Sequence, residues 1–573
     1  MSYSILSYLP SRELLVDPLL VACVIAAWYV PLFGDRTLGA AERLATRFAE
    51  RKRLAIVAVA LLPILMRLSL LWLMPVPAPA IQDEFSYLLA GDTFAHGRLT
   101  NPPHPMWVFL DTIHVNQHPT YMSKYPPAQG ALLALGQVLG HPWIGVLLSV
   151  GAMCAAILWM LQGWFSPKWA LLGAVIVVLR LGIFSYWMNS YWGGAVAALG
   201  GALVLGALPR ILRHQRPADA LLMGLGAAIL ANSRPFEGGI LFLLVAAVLT
   251  VWFFSKRSPS WRVSLPRTLL PIGVAGLLTL FFLGYYNWRV TGNALLFPSI
   301  ANDQQYSSVP TFVWQKIRPA LQYSNPQFGY VYNIWERQYW LRHTFDGTWH
   351  FLSHMEWVTV KFIYFFLWPE LCVPLLALPW VLRDRKMRLL IAQFLLCFLG
   401  LFVAVWSQPH YAAPMLAILI ALLVQAMRHL RRWKFNGRPV GTGLSRVIVL
   451  FAAGMVFVYM AEALKNPYSA SFVAPAGVWA KPGIQSRVKV EKQLEALPGE
   501  HLIIVRYSPD LEAGGEWVNN RADIDHAKVV WARDIPGLSL QPLLDYFRGR
   551  RVWLLEPDLV HPRLTIYPVS QAH

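Results

Sequence analysis

Charge is scarce in this chain. Of 573 residues only 14% are Asp, Glu, Lys or Arg, and acidic residues number 30. Soluble globular proteins carry about a quarter charged residues, so the composition excludes a large soluble enzyme. Cysteine is scarcer still: Cys23, Cys154, Cys372 and Cys397 are the only four. All four lie in apolar stretches, which excludes a disulfide framework or a CxxC metal site. No basic region with an apolar run and cleavage site opens the chain, so no cleavable signal is expected. No GxGxxG or P-loop follows a strand-like run.

What the chain has instead is apolar and aromatic. Hydrophobic residues make up 56%, with 25 Trp, 22 Tyr and 29 Phe, and the mean hydropathy is +0.45. Aromatics in that number suit membrane–water interfaces. The net charge of +19 would suggest nucleic acid in a soluble protein. Here the basic residues sit in short loops between apolar runs, which is the positive-inside pattern, so nucleic acid is not an expected partner.

A bilayer core of about 30 Å needs about 20 apolar residues per helix. Runs that fit or nearly fit lie at 18–33, 54–74, 142–163, 168–190, 192–209, 218–233, 237–254, 269–288, 359–382, 389–406, 412–428 and 445–463. They predict a mainly α, polytopic membrane bundle of about 11–12 spans, the first of which reads equally as an interfacial helix. Basic clusters at 43–53, 210–216, 256–267, 383–388 and 428–438 fall in every second loop, which assigns those loops to the cytoplasm. Long polar segments fall on the other side: outer loops at about 75–125 and 291–356, and the tail. Three units follow. Residues 1–53 hold the N-terminal span or interfacial helix and a basic loop, 54–464 the transmembrane domain, and 465–573 an extracytoplasmic α/β domain. In that tail HLIIVRY (501–507), KVVWAR (528–533) and RVWLL (551–555) read as buried strands. The stretches 485–497 and 538–547 have helical spacing.

The first outer loop carries the densest chemistry. Asp83 and Glu84 open it as an adjacent pair in DEFSY. The pair reads equally as a solvated helix start, favoured by the helix dipole, or as a functional site at the membrane surface. His96, His104, Asp111, His114 and His118 follow without the spacing of a zinc site. The loop ends in Ser123-Lys124-Tyr125-Pro126-Pro127, where the prolines fix a helix start and hold Lys124 at the bilayer surface. That lysine suits ordinary lipid headgroups or a bound phosphate. Arg67 and Arg180 lie inside spans, where a charge needs a partner. Aromatics of the second outer loop, among them Tyr306, Tyr323, Tyr332, Trp335 and Tyr339, suit sugar stacking or interfacial anchoring.

Taken together, DE after an early span, KYPP at the end of the outer loop, SRPFE (233–237), YNWRVTGN (286–293) and HYAAP (410–414) resemble the GT-C glycosyltransferases. The nearer likeness is to bacterial relatives of protein O-mannosyltransferase and of the lipid A aminoarabinose transferase, over residues 54 to 465. The resemblance implies transfer of a sugar from a polyprenyl-phosphate donor to an acceptor hydroxyl on a lipid, glycan or protein. It implies inversion at the anomeric carbon, and a bacterial inner membrane with the site facing the periplasm. It places catalysis at Asp83, as base, and at Glu84. Donor phosphate binding falls to Lys124, Arg289 and Arg234. Arg234 reads equally as a structural partner of Glu237. Tyr87, Tyr125, Glu237, His410 and Tyr411 are the candidate substrate-binding residues. A divalent cation is left open, with Asp83 and Glu84 as the available ligands. A lipid-linked-sugar flippase or transporter is the alternative, although no internal repeat supports it. A polymerase or ligase using a diphosphate donor would need more paired cations in an outer loop.

Overall fold

The computed structural model describes residues 13–256, 258–343, 348–465, 482–508, 515–558 and 562–568. Each of the twelve apolar runs falls on a helix. Among the described residues six helices are long and apolar enough to cross a membrane: Pro142–Trp164, Gly194–His214, Pro235–Phe253, Trp261–Thr291, Pro409–Arg431 and Val440–Lys465. The pair His350–Phe366 and Glu370–Arg383, bent by 107°, brings the number to seven. Twelve spans are reached only with shorter helices such as Lys52–Ser69, Pro167–Leu181 and Arg388–Leu401. Helix Glu13–Tyr29 lies against Val440–Lys465, where a Cβ on Gly443 would stand 2.8 Å from the Ala27 carbonyl oxygen.

The bundle has a protein side and a lipid side. The apolar stretch of Pro409–Arg431 is 89% buried, whereas that of Trp261–Thr291 is only 11% buried. Leu277, Leu278, Leu280 and Phe281 stand exposed on the latter. A continuous apolar face of that kind needs hydrocarbon around it. The inner helices pack closely because they carry small residues. In Gly194–His214 the sequence GAVAALGGALVLGALP lets Gly200 and Gly226 approach backbone to backbone. A Cβ on Gly201 would lie 1.9 Å from the carbonyl oxygen of Pro414.

Basic residues gather at one end of these helices. Arg213 donates to the Gly163 carbonyl at 3.1 Å, Arg431 pairs with Glu42 at 2.6 Å, and Arg446 pairs with Asp35 at 2.9 Å. His410 opens the stretch Pro409–Arg431 that ends at Arg428 and Arg431, so the two ends of one span carry different chemistry.

The run 168–190 does not form one span. Its helix stops at Leu181, and residues 183–192 fold as buried irregular chain. Internal hydrogen bonds make that tolerable at membrane depth. Asn189 donates to the Ile183 and Ser185 carbonyls, and Ser185 donates to Leu181. Both intramembrane arginines are likewise satisfied. Arg67 donates to Asn189, Met74 and Pro75 at 2.7–2.9 Å. Arg180 donates to the Phe365 and Tyr364 carbonyls and lies 3.7 Å from Glu370.

After a short hairpin of β1 (Val115–Asn116) and β2 (Met122–Ser123), the tail strands β3 (His501–Val505), β4 (Val529–Arg533), β5 (Arg551–Glu556) and β6 (Arg563–Ile566) form a four-stranded sheet in the order β4-β3-β5-β6. β3 runs parallel to β4 and β5, and the edge strand β6, which sequence patterning missed, is antiparallel. β6 lies mostly exposed, so it lacks the apolar run by which a buried strand is recognised. One sheet face packs Leu502, Ile504, Val530 and Ala532 against Leu89, Phe109, Leu110 and Tyr121 of the first outer loop. The tail therefore braces that loop. The expected boundary near 465 borders residues 466–481, which lie outside the described residues.

Gly201→Ala should displace the 409–415 turn that carries His410. The expected outcome is a lower yield of monodisperse protein and a lower unfolding temperature in detergent, checked by size-exclusion chromatography and a thermal shift scan.

Candidate functional site

The site is built on helix Gln82–Ala95. Asp83, Ser86 and Tyr87 recur at i, i+3 and i+4, so they share one face, while Glu84 points elsewhere. Glu84 is buried, and its carboxylate accepts from the amides of Ala80 at 2.5 Å, Ile81 at 3.3 Å and Tyr191 at 2.8 Å. Burial pushes its carboxyl up to about 7 against those three donors. Its work is to tie the helix start to the irregular segment 183–192, which leaves it no free oxygen for an acceptor.

Asp83 faces a short hairpin, β1 (Val115–Asn116) against β2 (Met122–Ser123). The pairing of Val115 with Ser123 sets His114 opposite Lys124, and the Lys124 amide donates to the His114 carbonyl at 3.2 Å. Ser86 donates to that same carbonyl at 2.7 Å, fixing the hairpin to the helix. His114 Nδ1 then lies 2.5 Å from Asp83 Oδ1, and the Tyr125 hydroxyl donates to that oxygen as well. Burial disfavours the Asp83 anion, but His114, the two hydrogen bonds and Lys124 outweigh it and hold the carboxyl below its ordinary value. The Tyr125 ring stacks on Tyr87 at 4.4 Å.

Cations border this carboxylate. Lys124 Nζ lies 3.6 Å from Asp303 on helix Pro298–Tyr306 and within electrostatic reach of Asp83, His114 and Glu336. Arg234 caps the start of helix Pro235–Phe253 and sits over the Tyr411 ring at 4.0 Å. Among the described residues no ion pair within 4.0 Å joins Arg234 to Glu237. Tyr87 lies within electrostatic reach of Arg234, Asp83, Tyr411 and Glu237, which places these groups near one another. His410 accepts or donates at 2.9 Å to the Tyr186 hydroxyl and packs on Trp192 at 4.4 Å.

The structure thus brings Asp83, Tyr87, Lys124, Tyr125, Arg234, Glu237, His410 and Tyr411 together, with Glu84 beneath them. Arg289 is not among them: it is exposed and hydrogen-bonds Tyr285 of its own helix at 3.2 Å. The aromatics of the second outer loop are largely spent on packing. Tyr306, Tyr323 and Tyr332 stack on one another, and Tyr339 stacks on Trp406 at 4.4 Å. Among the described residues no group of three or more His, Cys, Asp or Glu converges as a metal cage.

Three partners escaped the sequence reading of the site. His114 stood out only as one histidine among several, because its approach to Asp83 depends on hairpin register. Asp303 comes from a distant loop. Lys361 did carry a signal, a charge inside the apolar run 359–382. It is buried, donates to the Ser407 carbonyl at 2.5 Å and lies within electrostatic reach of His410.

No family model matches the chain, and no curated protein matches it. Solved structures do. ArnT from Cupriavidus metallidurans bound to undecaprenyl phosphate is 13% identical with a TM-score of 0.50, over 87% of this chain and 92% of that one. The apo form of the same enzyme gives 13% and 0.47, over 89% and 93%. An Archaeoglobus fulgidus oligosaccharyltransferase tethered to an acceptor peptide is 11% identical with a TM-score of 0.41, over 82% of this chain and 63% of its own. The chain has the fold of the GT-C membrane glycosyltransferases.

Proposed function

We propose that this protein transfers a sugar from a polyprenyl-phosphate carrier to an acceptor hydroxyl. The observation that supports this reading best is the meeting of the Asp83 carboxylate with Lys124 and Arg234 at one end of a GT-C bundle. The solved neighbour at a TM-score of 0.50 holds undecaprenyl phosphate, a donor's leaving group. In the proposed step the acceptor O–H bond breaks and its proton passes to Asp83. The freed oxygen bonds to the anomeric carbon, and the anomeric carbon–phosphate oxygen bond breaks. The polyprenyl phosphate leaves with the electron pair. One displacement of this kind inverts the anomeric centre.

Each group suits its part. A carboxylate kept ionised beside the acceptor is poised to take a proton. The phosphate gains charge as it leaves, so fixed cations stabilise the transition state more than the ground state. Lys124 and Arg234 supply that charge; Arg289, out on the lipid side, does not contribute. Tyr87, Tyr125, His410 and Tyr411 line the space for sugar and acceptor. The site lies at the end of the bundle away from the basic clusters. With those clusters in the cytoplasm, it opens to the periplasm of a bacterial inner membrane.

Purified protein in nanodiscs, offered a panel of polyprenyl-phosphate sugars, should release polyprenyl phosphate from one of them. Asp83→Asn should cut that release by about 100-fold or more with insertion unchanged; substantial turnover would remove Asp83 as base. Lys124→Ala should raise the KM for the donor more than that for the acceptor, and an unchanged donor KM would refute the phosphate contact. Glu84→Gln should instead lower the yield and unfolding temperature of the protein, because an amide donor would face backbone N–H groups.

A further inference from the structure

We propose that His114 is the positioning residue of this reaction: its Nδ1–H holds one oxygen of Asp83 and leaves the other to take the acceptor's proton. The inference rests on the reading of Asp83 as base. Both donors, His114 Nδ1 and the Tyr125 hydroxyl, converge on Oδ1. Among the described residues Oδ2 accepts no hydrogen bond. A carboxylate pinned through one oxygen has a single orientation, with the lone pairs of the second directed outward. That is the preorganisation a base needs, since a shift of about 1 Å can cost about 100-fold in rate.

The backbone supports the same assignment. His114 has φ +65°, the left-handed region that side chains other than glycine occupy rarely. Ser86 and the Lys124 amide clamp its carbonyl, and the next residue enters the hairpin. A strained conformation held this firmly points to a position whose side chain matters. With Nδ1 donating to Asp83, the neutral ring keeps its proton there throughout the transfer, and the acceptor proton goes to Oδ2. The ring's Nε2 has no partner among the described residues.

The arrangement has a pH consequence. The titratable groups facing the ring are Asp83, Lys124, Asp303 and the Tyr125 hydroxyl. Burial, with Lys124, holds the imidazole below its ordinary value despite the carboxylates. That shift makes a second proton, at Nε2, harder to add. The imidazolium that forms in acid strips basicity from Asp83, so turnover falls as pH drops and the ring takes up that proton.

The test compares wild type, Asp83→Asn, His114→Asn and His114→Gly in nanodiscs, by polyprenyl phosphate release across pH. Ring-15N histidine spectra accompany it, with the His114 signal taken as the difference from His114→Asn. Glycine relieves the backbone strain while deleting the ring, so its variant should fold and lose about 100-fold in kcat with donor KM unchanged. Asparagine tolerates the same backbone and can present an N–H where Nδ1 stood. It should retain activity within about tenfold of wild type, with the acid limb moved down into the Asp83 range. Wild-type kcat and pH profile in His114→Gly would overturn the inference. So would a His114→Asn variant as inactive as Asp83→Asn, which would make Nε2 itself the proton carrier. If wild type releases polyprenyl phosphate from no donor, the transferase reading fails, and the spectra decide the pairing alone. An Nδ1-protonated ring that changes on Asp83→Asn supports it, and an Nε2-protonated ring indifferent to Asp83 refutes it.

Discussion

The carboxylate of Glu84 holds the end of this molecule that carries Asp83 in register. Sunk below the surface, it gathers the amides of Ala80 and Ile81 at its own helix start and of Tyr191 from the buried segment 183–192. A buried backbone N–H without an acceptor costs roughly 1–3 kcal/mol, so three such donors on one side chain make a strong local constraint. It fixes the helix that carries Asp83 relative to the chain that carries Tyr186, Tyr191 and Trp192. Two adjacent carboxylates thereby acquire opposite lives: one is consumed by the backbone, the other is turned to the site.

The same economy governs the rest of the polar interior. In an apolar bundle core each charge needs a protein partner. Arg67 and Arg180 find theirs in carbonyls at helix ends, where they close breaks in the chain. Arg234 is held by Tyr411, over whose ring it lies at 4.0 Å, and Lys361 by the Ser407 carbonyl and the Trp357 ring at 4.8 Å.

The C-terminal sheet adds stiffness from behind the first loop. Arg533, fully buried, pairs with Glu516 and donates to the Asp111 carbonyl at 3.3 Å, while Asp92 accepts from the Ala522 amide at 2.8 Å. These contacts back the helix and loop that present Asp83 and His114. A loop that must hold a carboxylate and an imidazole in hydrogen-bonding contact needs such a scaffold behind it.

Sequence alone determined the class of molecule, the positions of its apolar helices, three of the four tail strands and most of the residues that gather at the site. Composition and periodicity are local properties, and burial in lipid or in a sheet core reads them directly. The break after Leu181 was invisible, because its cause is a network of side-chain to backbone bonds rather than a change in hydropathy. The separate fates of Asp83 and Glu84, the exposure of Arg289 away from the other candidates and the pairing of His114 with Asp83 were decided only by tertiary structure. Each depends on which way a side chain points once distant segments meet, and one residue of helix rotation or one step of hairpin register reverses that answer.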